Sequence, residues 1–358
     1  MATNNVENRQ SETWNEILSQ GSVWLATLQE LRESAAGEQI LKASASVRSW
    51  LFVGCGTSFY LAEAAAATWT LLTGEKARAV PGSEILLYPS LSQAESTPVQ
   101  AVVISRSGRT SEAVRAASTL RRTLKVPTVG VTCAERSALE AECDATIVLK
   151  AAEEKSTVMT RSFTSMLIGL QYLAARRSGN EAFIQSLAET AQQYAERIPS
   201  LAEKIESFVS SHSFEDYVFL GQGPFHAIAR EAALKVMEMS CSYSQFFHAL
   251  EFRHGPKSIV TPRTCLTFFL SETAKQLESE VLQEMKELGG VTIAVCNHAT
   301  ENISRSSDLI IEMKIVVNEL ALLAPFTVPA QLLGFFTGLG KGLNPDEPKN
   351  LTRVVILD

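Results

Sequence analysis

From Ser49 onward, short apolar runs alternate with helical stretches: SWLFVG, AEAAAATWTLL, QAVVIS, SEAVRAASTLRRTL, VPTVGVTC and DATIVLK. Continuous β-branched runs of this length, separated by helices, predict a parallel sheet covered on both faces. The expected architecture is α/β and doubly wound. Ahead of it, residues 11–50 predict two amphipathic helices as a lead-in, with Trp14, Ile17, Leu18 and then Trp24, Leu25, Leu28 and Leu31 at helical spacing.

The same order of runs then recurs. DYVFLGQG (216–223) repeats WLFVGCG (50–56), TCLTFFLSE matches QAVVISRS, VTIAVCN matches VPTVGVTC, and DLIIEM matches DATIVLK. The offset is 167 residues at the glycine turns and drifts by only a few residues at the last strand. Two unrelated folds would not keep such an offset, so the chain reads as an internal duplication of one five-strand domain. The boundaries expected are a helical segment over 1–44, a first domain over 45–180, a helical linker over 181–214, and a second domain with a catalytic loop and C-terminal tail over 215–358.

Composition narrows the function. With 46% apolar and 20% charged residues among 358, the chain buries a sizeable core, which excludes a disordered chain or a coiled coil. The net charge is −7 and no Lys/Arg block stands out, so no nucleic-acid partner is expected. The polar N-terminus argues against a signal peptide, and no apolar run looks long enough to span a membrane. The six cysteines include no CxxC pair, so they read as small buried hydrophobes of a reducing, cytoplasmic protein.

In the first copy, SRSGRT (105–110) carries the hydroxyls of Ser105, Ser107 and Thr110 around Gly108, directly before a helix. Backbone N–H groups at a helix N-terminus are partly positive, and clustered hydroxyls add donors, which together suit a phosphate. A plain N-cap needs only one hydroxyl. GCGTS (54–58) offers Thr57 and Ser58 on a second glycine turn, but no GxGxxG and no Walker lysine follow, so a compact phosphate is favoured over a dinucleotide or ATP. No cofactor is expected. The second copy has GQGPF and LSETAK at these points, so the phosphate site is expected in the first copy alone.

The second copy carries EAALKVMEMSCSYSQFFHALEFRHGPKSIV (231–260) instead. Lys235 and Glu238 share a helix face, with Glu231 a turn earlier. An isolated pair of this kind is usually a solvated ion pair. Leu234, Val236, Met237 and Met239 make the surroundings apolar, so these charges are expected to point into a cleft, where desolvation suits a carboxylate to general-base work. His254 stands in a Gly-Pro loop and reads as functional. His212, His226, His248 and His298 show no metal-ligand spacing and read as structural.

These motifs, together with EEKSTVMTRSFTS (153–165) and DEPKNLTRVV (346–355), resemble the sugar isomerase (SIS) domain family. The resemblance covers about residues 45–358 and is strongest to the isomerase part of glucosamine-6-phosphate synthase and to stand-alone sugar-phosphate isomerases and isomerising deaminases. It implies two SIS domains, a phosphorylated sugar substrate, and phosphate held by Ser58, Ser105, Ser107 and Thr110, with Gly56, Thr57, Arg106 and Glu154 completing the binding set. It also implies that Glu238 moves a proton between the first two sugar carbons, that His254 assists ring opening, and that Lys235 acts beside them. A homodimer with shared active sites is implied, His254 reaching the partner's site.

The sequence departs from the family at two points. The usual glutamine of the phosphate loop is Arg106, which adds a potential charge-assisted phosphate contact. The lysine that forms a Schiff base in the synthase aligns with Arg353, whose guanidinium stays protonated, while Lys349 is out of register. Without an N-terminal nucleophilic cysteine or a glutaminase domain, glutamine-dependent synthesis is not expected, whereas ammonia-dependent amination by an aminotransferase-like route, or its reverse, stays open. Aldose–ketose isomerisation of a hexose or amino-hexose 6-phosphate, with or without loss of ammonia, is the leading reading. The alternatives are a non-catalytic sugar-phosphate-binding regulator and a deglycase of phosphorylated sugar amines.

Overall fold

The computed structural model describes residues 11–92 and 98–357. Residues 1–10, which carry most of the evidence on a signal peptide, lie outside the described residues.

The first sheet contains β1 (Ser49–Gly54), β2 (Lys76–Pro81), β3 (Val99–Ile104), β4 (Thr128–Thr132) and β5 (Ala145–Val148), all parallel, in the order β2-β1-β3-β4-β5. The second contains β6 (Asp216–Gly221), β7 (Tyr243–His248), β8 (Thr264–Phe269), β9 (Val291–Cys296) and β10 (Leu309–Glu312), also parallel, in the same order read from the other edge. Central strands such as β1 (SWLFVG) and β8 (TCLTFF) are buried along their whole length. That is why they read as unbroken apolar runs rather than alternating ones. Around them, Leu51, Val53 and Val103 pack with Leu120 and Leu139 in the first copy, and Leu220, Leu266 and Phe268 with Val281 and Met285 in the second.

The duplication extends to the backbone of the turns. Gly56 has φ 54° and ψ −128°, and Gly223 has φ 55° and ψ −129°, a region that side chains disfavour. A Cβ on Gly54 would lie 2.2 Å from the Ser58 carbonyl oxygen, and one on Gly221 would lie 2.4 Å from that of Phe225. Each glycine therefore lets a helix start directly over the end of its strand.

Two compact units divide the described residues, and neither is contiguous in sequence. The unit with the first sheet takes residues 22–154, 161–191 and 352–357, and the unit with the second takes 11–21, 155–160 and 192–351. The contiguous boundaries read from the sequence differ in these short segments. Residues 11–21 join the second unit because Trp14 stacks on Phe335, with ring centroids 5.3 Å apart, and because the Glu12 and Thr13 N–H groups donate to Asp346 at 2.9 and 2.8 Å. Residues 352–357 join the first, where the Val355 carbonyl accepts from the Ser111 N–H at 3.1 Å.

Two expectations need correction. The lead-in contains three helices, Glu12–Leu18, Gln20–Glu33 and Ala35–Ala43, because Ser34 takes an extended conformation and caps the third by accepting from the Ala36 N–H. An apolar stretch of membrane-spanning length does exist, Glu319–Gly340, with a mean hydropathy of 1.6. Its most apolar 18-residue window is wholly buried, as a core helix is. All six cysteines are free thiols, of which Cys133, Cys143, Cys265 and Cys296 are buried as expected, whereas Cys55 is half-buried and Cys241 exposed.

Candidate functional site

In the first unit the order β2-β1-β3 reverses direction between β1 and β3, and ligands of open α/β sheets bind at such a switch point, beyond the carboxyl ends of the strands. Both hydroxyl-rich turns stand there. Thr57 and Ser58 open the helix Thr57–Thr73 and are buried, the Ser58 N–H donating to the Cys55 carbonyl at 3.1 Å. Ser105 follows β3, and its N–H donates to the Val131 carbonyl at 3.0 Å. Gly108, at φ 59°, closes the loop against Ser137, whose Oγ would be 2.3 Å from any added Cβ.

Simple capping does not account for these hydroxyls. Thr110 occupies the N-cap position of the helix Ser111–Ser118 without making a side-chain cap bond. Ser107 Oγ accepts from the Arg109 N–H at 3.2 Å, a local turn bond. The Ser105 hydroxyl is buried without a hydrogen-bond partner. A buried hydroxyl in this state costs about 1–3 kcal/mol, which a ligand oxygen would recover.

Arg106 points elsewhere. Its guanidinium lies 3.1 Å from the Glu154 carboxylate and donates to the Arg353 carbonyl at 3.1 Å, and both charged side chains are buried. Glu154 also accepts from the Ser162 N–H at 3.2 Å and from the Ser162 hydroxyl. The Arg353 guanidinium donates to the Glu154 carbonyl. Arg106, Glu154 and Arg353 thus form one network beside the loop, in which the Arg106 charge meets a carboxylate of the chain itself.

In the second unit, Glu231, Lys235 and Glu238 stand on the helix Pro224–Ser240. Lys235 Nζ lies 3.2 Å from Glu231 Oε1 and 2.5 Å from Glu238 Oε2. The cleft expected for all three charges is corrected: the Glu231 and Lys235 side chains are fully buried, and only Glu238, 19% exposed, reaches the surface. Burial opposes the lysine's charge, but Glu231 and Glu238 outweigh it and hold the ammonium above its ordinary pKa. The helix Leu323–Gly340 packs closely on this one: a Cβ on Gly334 would fall 2.9 Å from the Lys235 carbonyl, and one on Gly338 2.3 Å from that of Met239. Two glycines four residues apart therefore bring the helix backbones into contact.

His254 is exposed and ends a 3-10 turn over Glu251–Arg253, its N–H donating to the Glu251 carbonyl at 3.0 Å. Glu284 holds the loop on both sides of it, accepting from Arg253 at 2.7 Å and from Lys257 at 2.6 Å. These bonds, that of Lys257 first, keep the Glu284 carboxyl below the usual range. Sequence reading missed Glu284, one of four glutamates on the polar helix Lys275–Glu287. His226 and His248, read as structural, stack with centroids 3.7 Å apart, and burial pushes His226 down to about 4.

The loop after β8 keeps two hydroxyls, Ser271 and Thr273, contrary to the reading that the second copy lacks them. Both are committed to carboxylates: Ser271 Oγ donates to Glu278 at 3.0 Å and Thr273 Oγ1 to Glu319. A cavity of about 1250 Å³ lies in the first unit and is lined by residues such as Ile40, Gln100, Leu124 and Pro127. These sit at the amino ends of the strands, opposite the hydroxyl-rich turns.

The SIS domain signature matches residues 45–176 and 215–334. The chain is 28% identical over 341 residues to a glutamine–fructose-6-phosphate aminotransferase (isomerizing) of Pyrobaculum aerophilum, covering 91% of this chain and 54% of that protein. It spans about half the length of the aminotransferases it matches. It is 27% identical over 312 residues to a D-galactosamine-6-phosphate deaminase of Shewanella sp. strain ANA-3, covering 83% of this chain and 77% of that one. Among solved structures, a glucosamine-6-phosphate deaminase of Thermotoga maritima superposes with a TM-score of 0.76 at 26% identity, covering 97% of this chain and 100% of that chain.

Proposed function

The chain belongs to the SIS domain family, and from that premise we propose that it isomerises a hexose or amino-hexose 6-phosphate between aldose and ketose by proton transfer through an enediol or enediolamine. The observation that carries the proposal is Glu238, a carboxylate fixed by a sealed ammonium yet open to the surface. Proton abstraction beside a carbonyl needs such a positioned base, and return of the proton to the neighbouring carbon can use the same group. Lys235, which has no surface of its own, orients Glu238 rather than touching substrate. His254, exposed in its clamped loop, assists ring opening from the partner subunit of a homodimer.

The phosphate is held by Ser58, Ser105, Ser107 and Thr110 with the backbone of Gly56 and Thr57. The unpartnered Ser105 hydroxyl supports this assignment. Arg106, Glu154 and Arg353 shape the loop through their network rather than supplying a free cation to the phosphate. Arg353 offers no amine for a Schiff base, which favours isomerisation or deamination over amination through an enzyme-bound imine.

The decisive experiment incubates the protein with hexose and amino-hexose 6-phosphates and measures ketose and ammonia. Ketose alone identifies an isomerase, and ketose with ammonia an isomerising deaminase. A protein that binds these sugars without turning any over would be a regulator, and the proposal would fall.

A further inference from the structure

Internal symmetry pairs Glu154 with Glu319. They are 165 residues apart, the same offset that separates Ile104, which ends β3, from Phe269, which ends β8. Each carboxylate follows the fifth strand of its copy, but they turn to different partners. Glu154 meets Arg106 and Ser162. Glu319 accepts from the backbone N–H groups of Glu272 at 2.7 Å and Thr273 at 3.3 Å, and from the Thr273 hydroxyl. These donors lie in the loop LSETAK, which occupies the place of SRSGRT.

The difference has a local cause. At the same offset, Arg106 corresponds to Ser271, which has no cation to draw the carboxylate away. Ser271 is itself turned inward, its N–H and hydroxyl both donating to Glu278. Two adjacent backbone donors and a hydroxyl then converge on one carboxylate, an arrangement that backbone amides also offer to phosphate oxygens.

We propose that Glu319 is a built-in anion that closes the second copy's loop, so that Glu319 decides why only one of two corresponding loops accepts a phosphate. The statement rests on the reading of the first-copy loop as the phosphate site. It adds that the second loop presents donors of its own, the Glu272 and Thr273 N–H groups and the Thr273 hydroxyl, and is blocked rather than lost. Arg106 is its counterpart: by engaging Glu154, it keeps that carboxylate from settling on the first loop in the same way.

Calorimetric titration of the intact protein with inorganic phosphate tests the proposal. Wild type should bind one phosphate per chain and Glu319→Ala two. Glu319→Ser, which also removes the carboxylate but keeps a small polar side chain, should give the same gain if the alanine variant folds poorly. Repeating the titration in a Ser105→Ala/Ser107→Ala background separates the two readings. There the parent should bind none and the added Glu319→Ala should restore one. If the background still binds its phosphate, the first-copy assignment fails, and Glu319 is judged by whether its removal raises the count by one. No increase on removing Glu319 in either background overturns the proposal.

Discussion

Asp144 and Asp308 make matching hydrogen bonds in the two copies: each takes the N–H of a threonine at the start of a strand at 2.8 Å and its hydroxyl at 3.1 or 3.2 Å, Thr128, first in its strand, in one case and Thr292, second in its strand, in the other. Both pairs span sixteen residues and are 164 residues apart in the chain. The bond ties the start of the fourth strand to the residue that leads into the fifth. Asp144→Ala and Asp308→Ala should each lower stability by about 1.5–3 kcal/mol, the usual worth of hydrogen bonds to a charged group, as read from denaturant unfolding. Equal losses would mark the bonds as equivalent.

Arg106→Ala should cost more, about 3–5 kcal/mol, because it leaves the Glu154 carboxylate buried without a cation. Combining it with Glu154→Gln should recover much of the loss. A double variant as unstable as the sum of the single ones would mean that the two side chains do not depend on each other.

Glu238→Gln keeps size and hydrogen bonding but removes basicity. Substrate binding should survive while kcat falls by ~10² to 10⁴. Exchange of the substrate C-2 proton with deuterated solvent should vanish in parallel. Wild-type turnover and exchange would make Glu238 only the ion-pair partner of Lys235, with Glu251 the next base to try. If His254 serves the partner's site, mixing Glu238→Gln chains with His254→Ala chains should restore part of the activity, and a fully active monomer would contradict the shared site.

Ser105→Ala with Ser107→Ala should raise KM strongly without unfolding the chain, since the Ser105 hydroxyl has no partner to lose and Ser107 gives up only its exposed turn bond with the Arg109 N–H. An unaltered KM would remove the phosphate assignment.

Glu278 gives a pH signature. Burial pushes its carboxyl up from 4.5 to about 7, against hydrogen bonds from the Ser271 backbone and hydroxyl. Between those values the folded chain holds a proton that the unfolded chain releases, so stability should fall as pH rises from 4.5 to 7, by about 3 kcal/mol in total, and level off above. Glu278→Gln should remove that slope in unfolding measured across the window. An unchanged slope would show that Glu278 is charged in the fold throughout.

The sheets were legible because their information is local. Unbroken apolar runs such as SWLFVG and TCLTFF report burial on both faces, and glycines before each helix report the turn, so parallel sheets and the duplication follow. Lys235 and Glu238 were legible as a pair because three residues make one helical turn. That the Lys235 side chain is fully buried was not, since the close packing of its helix involves Gly334 and Gly338, about a hundred residues away. The Arg106–Glu154 pair crosses 48 residues, and the contacts of Glu319 with Glu272 and Thr273 cross 47 and 46. No periodicity within one element specifies which distant charges meet. The third lead-in helix was missed because Ser34 interrupts a stretch whose apolar spacing looks continuous.

The tail of the first unit bears on the order in which the protein is made. The Ser111 N–H donates to the Val355 carbonyl, the Leu357 N–H to the Ser111 hydroxyl, and Arg106 to the Arg353 carbonyl. Sequence positions near 110 leave the ribosome long before those near 355. The loop can therefore fold early, yet it acquires this bracing only when the end of the described chain has been synthesised and has returned to it. A chain shortened by residues 353–357 would lose these bonds and leave the loop unbraced, although the two segments lie far apart in sequence.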